Sequence, residues 1–316
     1  MLISKIAPPS ALYKQSMKLM GNQFEITAVD KGAVRAGKMI ALAVEEIKRI
    51  ERLLTTFSDD SETNAINRAA GISPVKVSKE IFQLIQRSIR ISEITQGAFD
   101  ISYGSADKSL WNFDTAMTHL PNEKTAKRMV RLINYRNIIL DENETTVFLK
   151  EKGMRIGFGG IGKGYAAEMA KQALRKSGVR SGIVNASGDL TAWGSQPDGK
   201  PWTIGIVNPN LTGKIFSYLD VTDMAVATSG NYEKFIVING EKYSHTINPR
   251  TGLPVTGIKS VTIITPNAEI ADAMATPVAI MGIRPGLDMI NQIKDIEAIV
   301  IDDDDIIYTS KNLHFA

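Results

Sequence analysis

The chain has 316 residues, 43% of them apolar and 22% charged, which describes a globular protein with a sizeable core and excludes intrinsic disorder. Its 37 Lys and Arg against 34 Asp and Glu leave a net charge of only +3, and no long basic run is interleaved with aromatics, so a nucleic-acid partner is not expected. Without cysteine, the chain as written has no disulfides, thiolate metal sites, cysteine nucleophile or lipid-modified Cys.

Residues 1–17 contain Pro8-Pro9 and no periodicity, and are expected to form a flexible arm before a single domain over 18–316. The apolar run at Met1–Ala11 is too short for a signal peptide, and no segment reaches the ~18 apolar residues of a membrane span. A cytoplasmic location is therefore expected, with a periplasmic one as the alternative if the N-terminus was trimmed. A strand is expected at about Gln23–Val29. Lys31 to Phe57 then places Val34, Met39, Ala41, Val44, Ile47, Ile50 and Leu54 at helical spacing.

Ser58 to Asn64 reads as a polar turn, and Ser78, three residues before Ile81, as the cap of a second helix that Gln96-Gly97 stops. Tyr103 to Pro121, with Trp111 and Phe113, has no period and reads as a packed loop. A helix at Glu123–Ile133 and strands at Asn137–Leu140 and Thr145–Leu149 follow. A further helix is expected at Tyr165–Lys176, ended by Gly178. Strands are expected at Gly182–Asn185, Trp202–Val207, Phe216–Val221, Phe235–Ile238, Lys242–Ile247 and Ser260–Thr265. Helices at Ala268–Met281 and near Leu287–Ile293 and a terminal hairpin complete the pattern. Runs of neighbouring strands between helices, without strict alternation, predict an α+β fold with largely antiparallel sheets and packed helices.

The chemistry centres on Arg155–Glu168, where Gly157, Gly159, Gly160 and Gly162 lead into a helix and are followed by Lys163. Backbone N–H groups approach an anion closely at such a place, and phosphate is the expected guest. Gly157-x-Gly159-x-x-Gly162 satisfies a dinucleotide fingerprint, but the acidic residue expected about 20 positions on is missing, Asp189 lying later in another turn. Gly157 to Lys163 fits most of a Walker A loop, but Gly164 stands where a Ser or Thr should hold Mg²⁺.

Asp272 and Thr276 are four apart on a predicted helix, with Cβ atoms ~5–6 Å apart on one face, where a hard cation can sit. A helix cap and a buried threonine explain the same pair, and Pro277 would remove a helical hydrogen bond beside it. His119 and His314 have no convergent polar neighbours in the sequence. His245, in Tyr243–Gly252, could take a proton near neutral pH or serve as a structural histidine. Asn185–Asp189 and Ala227–Asn231 are small-residue turns able to present N–H groups. Asp302–Asp305 reads as a solvated hairpin tip without function.

Taken in order, Met20-Gly21, Ala98–Asp100, Gly159–Tyr165, Asn185–Asp189, Ala227–Gly230, His245–Gly252 and Ala271–Thr276 resemble the motifs of the ApbE family of FAD:protein FMN transferases, from Met20 to about Gly282. The resemblance implies an ApbE-like, T-fold-related architecture and Mg²⁺-dependent transfer of the FMN half of FAD to a Thr or Ser of a target flavoprotein, releasing AMP. It assigns the base to His245 and the metal to Asp272, Thr276 and the carbonyl of Gly162. It assigns flavin contacts to Met20, Phe57, Ala98, Phe99 and Asp100. Thr246 and the glycine-rich segment, with Gly159, Lys163 and Tyr165, fall near the diphosphate. This chain departs from the family pattern at Gly157 (usually Asp), Gly162 (Ala), Ser187 (Gly), Asn248 (Asp) and Pro277. An FAD pyrophosphatase yielding FMN and AMP, or a non-catalytic flavin-binding protein, would use the same pocket.

Overall fold

The computed structural model of the protein describes residues 10–207, 215–230 and 235–313. It opens with β1 (Ala11–Leu19) and β2 (Asn22–Asp30), followed by the long α1 (Ala33–Leu54), the short α2 (Glu62–Arg68), β3 (Val75–Lys76) and α3 (Lys79–Ile94). Next come α4 (Glu123–Met129), β4 (Ile138–Asp141), β5 (Thr146–Leu149) and α5 (Gly162–Lys176). Strands β6 (Gly182–Ala186), β7 (Asp189–Trp193), β8 (Trp202–Val207), β9 (Ile215–Val221) and β10 (Met224–Gly230) follow. Then β11 (Phe235–Ile238), β12 (Glu241–Ser244) and β13 (Ile258–Thr265) precede α6 (Ala268–Met281), α7 (Ile283–Ile290), β14 (Glu297–Asp302) and β15 (Ile307–Thr309). The architecture is α+β, as the strand clustering predicts. Among the described residues no helix is long and apolar enough to cross a membrane.

The chain divides into two compact units, each assembled from three separated stretches, which is why no linker marks them in the sequence. The first comprises the described residues of Met1–Glu51, Lys163–Ala227 and Ile264–Ala271. In it β1, β2, β6, β7 and the start of β10 lie side by side, antiparallel at each step. Phe24, Ile26 and Trp193 on these strands and Ile40 and Ile47 on α1 are fully buried. Each such side chain contributes roughly 1.5–3 kcal/mol by leaving water.

The second unit comprises Arg52–Gly162, Thr228–Ile263 and the described residues of Asp272–Ala316. It contains the antiparallel three-stranded sheet β3-β5-β4, the hairpins β11-β12 and β14-β15, and α2, α3, α4 and α7. Ile66, Ile81, Leu84, Ile85 and Leu149 are among its fully buried aliphatics. Ser78 caps α3 by accepting from the Ile81 N–H, as expected.

Two expectations are corrected. Residues 11–17, read as part of an arm, form β1, which pairs with β2 from Ala11↔Asp30 to Leu19↔Asn22. Most of β1 is exposed, so it lacks the apolar alternation that marks a strand. The polar turn at Ser58–Asn64 closes into α2, because Ser61 caps it by accepting from the Asn64 N–H. Asp302–Asp305 is the tip of the β14–β15 hairpin, as expected, with Asp304 and Asp305 exposed; only Asp302 is buried, accepting from the N–H groups of Asp304 and Ile306 and from Tyr308, and Asp305 pairs with Lys259. His314 and Asn231 lie outside the described residues.

Candidate functional site

The second unit holds a cavity of about 430 Å³. One wall comes from the end of α3. Gln96 and Gly97, both at positive φ, turn the chain out of the helix, and the Phe99 N–H is held by Thr95 Oγ1 at 3.0 Å. Ala98, Phe99 and Asp100 thereby reach the cavity.

Asp100 is fixed by what it accepts. Its Oδ1 takes the N–H and hydroxyl of Ser102 at 2.8 and 2.6 Å, and its Oδ2 takes the Tyr135 N–H at 2.8 Å. Burial nevertheless pushes its pKa above the usual carboxylate value, against these hydrogen bonds and the charge of Arg136.

The glycine-rich turn supplies a second wall through Gly157, Gly159 and Gly160. The Phe158 carbonyl accepts from Ile161 and Gly162, folding the turn into the start of α5. No hydrogen-bond acceptor is assigned among the described residues to the N–H groups of Gly159 and Gly160, which lie exposed at the cavity. A Cβ at Gly159 would meet open space and one at Gly157 only Thr56 Cγ2 at 3.8 Å, so neither position requires glycine for room. Gly162 opens α5, three residues earlier than the expected helix start.

His245 follows β12 on a tight loop. Ser244 Oγ accepts the Thr246 N–H at 2.8 Å, and backbone bonds join Ser244 and Thr246 to Val255. Asn248 Oδ1 accepts the Arg250 N–H at 2.9 Å, a bond that a carboxylate oxygen accepts equally well. Gly252, at positive φ, passes so close to the Ala126 carbonyl that a Cβ there would collide with it. Both His245 and Thr246 line the cavity, and the rings of Phe113 and His245 meet in a T-shaped contact, centroids 6.5 Å apart.

The remaining wall is the second half of α6, with Thr276, Pro277 and Ile280. Asp272, one turn earlier, is buried. Ser229, within the Ala227–Gly230 motif, brings its hydroxyl to 3.4 Å from Thr276 Oγ1. The Asp272 carboxylate and the Thr276 and Ser229 hydroxyls are hard oxygen donors of the kind Mg²⁺ takes, so the chemistry of these residues fits that ion. Among the described residues no group of three or more His, Cys, Asp or Glu gathers as a metal cluster, at this site or any other.

Of the residues singled out from sequence, Ala98, Phe99, Asp100, Gly159, His245, Thr246 and Thr276 line one cavity. Phe57 does not line it. Its ring is 99% exposed, on the loop whose Thr56 faces Gly157. Met20, Lys163 and Tyr165 belong to the first unit. Met20 and Gly21 form the positive-φ turn between β1 and β2. Tyr165 is buried in α5. Lys163, read as a charge offered to an anion, is ion-paired with the buried Asp189. Tyr103 and Ile280 were missed as wall residues because they lie outside the motifs, whereas Pro277, noted beside Thr276, proves to be part of the wall.

An α+β protein with exposed glycine amides, an accessible imidazole and a threonine hydroxyl around one cavity has the equipment of an enzyme acting on an anionic small molecule. The ApbE family model matches residues 20–300, and the chain belongs to that family. It is 31% identical over 292 residues to an FAD:protein FMN transferase of Klebsiella pneumoniae (strain 342), covering 92% of this chain and 89% of the relative. A Treponema pallidum (strain Nichols) protein of the same name is 29% identical over 308 residues, covering 92% and 84%. Among solved structures, an ApbE protein from Thermotoga maritima superimposes with a TM-score of 0.84 at 27% identity, covering 95% of this chain and 97% of that one.

Proposed function

We propose that this chain transfers the FMN moiety of FAD to a Thr or Ser hydroxyl of an acceptor flavoprotein and releases AMP, with the chain from β1 onward acting as one flavin transferase domain. The observation that carries the reading is a single cavity bordered by the glycine amides, His245 and Thr276. The relatives' names, FAD:protein FMN transferase, support it.

The isoalloxazine would lie against Ala98, Phe99 and Asp100, with the exposed ring of Phe57 as a further contact. The diphosphate would accept hydrogen bonds from the amides at Gly159, near Lys163, Tyr165 and Thr246. His245 takes the proton of the acceptor hydroxyl, whose oxygen attacks the flavin-side phosphorus. A new phosphoester bond forms as the bridging P–O bond breaks, and AMP leaves with that oxygen and the bond's electron pair. Asp272, Thr276 and the Gly162 carbonyl would hold Mg²⁺, which when bound offsets negative charge on the diphosphate and the leaving AMP.

The test is covalent flavin on an acceptor domain, read by in-gel fluorescence and mass, with AMP quantified with and without the acceptor. Flavin on the acceptor with matching AMP supports transfer. AMP and free FMN without labelled acceptor would identify a pyrophosphatase, and intact FAD a binding protein. Because Asp272 is buried, Asp272→Asn, which keeps its size, is the variant for the metal assignment. It should abolish the Mg²⁺ dependence of FAD binding measured by calorimetry, and an unchanged dependence would refute that assignment.

A further inference from the structure

A second cavity of about 330 Å³ adjoins the first, and His245, Tyr103 and Ile247 belong to the walls of both. Its other boundary is built by the stretch after the first cavity's Tyr103 and Gly104, through Ala106, Lys108, Asn112 and Phe113, with Met129 beneath. We propose that this second cavity receives the Thr- or Ser-bearing segment of the acceptor flavoprotein. The inference rests on the transfer reading above.

Transfer brings two substrates to one base. The imidazole that borders the FAD cavity must also reach the hydroxyl that loses its proton, so the acceptor has to enter where His245 is exposed on another side. The adjoining cavity meets that condition. It sits at the small end of ligand-pocket volumes, fitting a short segment of chain and not a second dinucleotide. Apolar Phe113, Met129 and Ile247 are joined by the exposed, hydrogen-bonding Lys108 and Asn112. Lys108 is the one Lys, Arg, Asp or Glu among its described wall residues, which favours a segment with neutral or acidic residues beside the hydroxyl. The rings of Phe113 and His245 meet in a T-shaped contact, so this wall touches the base.

The probe is a small flavoprotein domain with one acceptor Thr, and its control has that Thr replaced by Ala. Each is added to the purified full chain with FAD and Mg²⁺. Asn112→Trp, which fills the cavity, and Lys108→Glu should each raise the KM for the acceptor at least tenfold, with FAD affinity within twofold of wild type by calorimetry. An acceptor KM unchanged in both variants overturns the proposal. If Asn112→Trp also weakens FAD binding or folding, Lys108→Glu decides alone, and an unchanged KM there overturns it. A wild-type chain that labels no acceptor defeats the transfer reading itself and this inference with it, an outcome distinct from normal labelling by both variants.

Discussion

Arg250 donates from Nη2 to the carbonyl oxygen of Gln96, tying the turn after His245 to the end of α3, from which Ala98, Phe99 and Asp100 enter the cavity. The same nitrogen reaches the Thr95 carbonyl at 3.3 Å. One exposed side chain thus sets the spacing between the wall assigned to the flavin and the residue assigned as base.

Arg250→Ala should therefore cost about 1 kcal/mol of stability, a typical value for exposed hydrogen bonds, yet reduce transfer more than that loss suggests. Displacement of a catalytic group by about 1 Å can cost on the order of 10²-fold. Thermal unfolding and kcat measured on the same preparation test this. An unchanged kcat would mean that the His245 turn holds its place without the arginine.

Asp100 makes stability depend on pH in an unusual direction for a carboxylate. Burial raises its pKa in the fold above the ordinary 3.8. Between these two values the folded chain holds a proton that the unfolded chain has lost, so this group's contribution falls as pH rises through the window. It is fully present below the unfolded pKa. Urea unfolding of wild type and Asp100→Asn from pH 3.5 to 6.5, both ends about the ordinary carboxylate range, should give a difference, wild type minus variant, that declines with pH. A difference that grows with pH would reverse the assignment.

Lys163 is committed to Asp189, whose side chain is 5% exposed. Lys163→Met should destabilise the chain by roughly 1–3 kcal/mol, less than a fully buried pair because the lysine is 28% exposed. Adding Asp189→Asn should recover most of that loss, since the buried carboxylate is then neutral. Denaturant midpoints of the single and double variants measure it. A double variant no more stable than the single one would show that the pair is not what Lys163 contributes.

The helices were legible because their apolar spacing and their caps agree: α3 begins after Ser78 and ends at Gln96-Gly97, as the residue types require. The exposed β1 was not, since its pairing with β2 is a long-range choice that leaves no alternation in its own residues. At the site, Ala98–Asp100, Gly159, His245, Thr246 and Thr276 were legible through their motifs and converge on one cavity. Tyr103 and Ile280 gain their positions only from tertiary packing, and the pairing of Lys163 with Asp189 joins residues 26 apart that neither local pattern links.

The central claim is that His245 makes this cavity a catalytic site and not merely a binding one, and His245→Ala measures it most directly. The variant leaves the glycine turn, Asp272 and Thr276 in place, so FAD and Mg²⁺ binding should persist. Transfer of FMN to the acceptor Thr, followed by in-gel fluorescence and mass, should slow ~10²–10⁴-fold, the usual cost of losing a general base, with partial recovery at higher pH. Labelling at the wild-type rate would contradict the account and return His245 to a structural role.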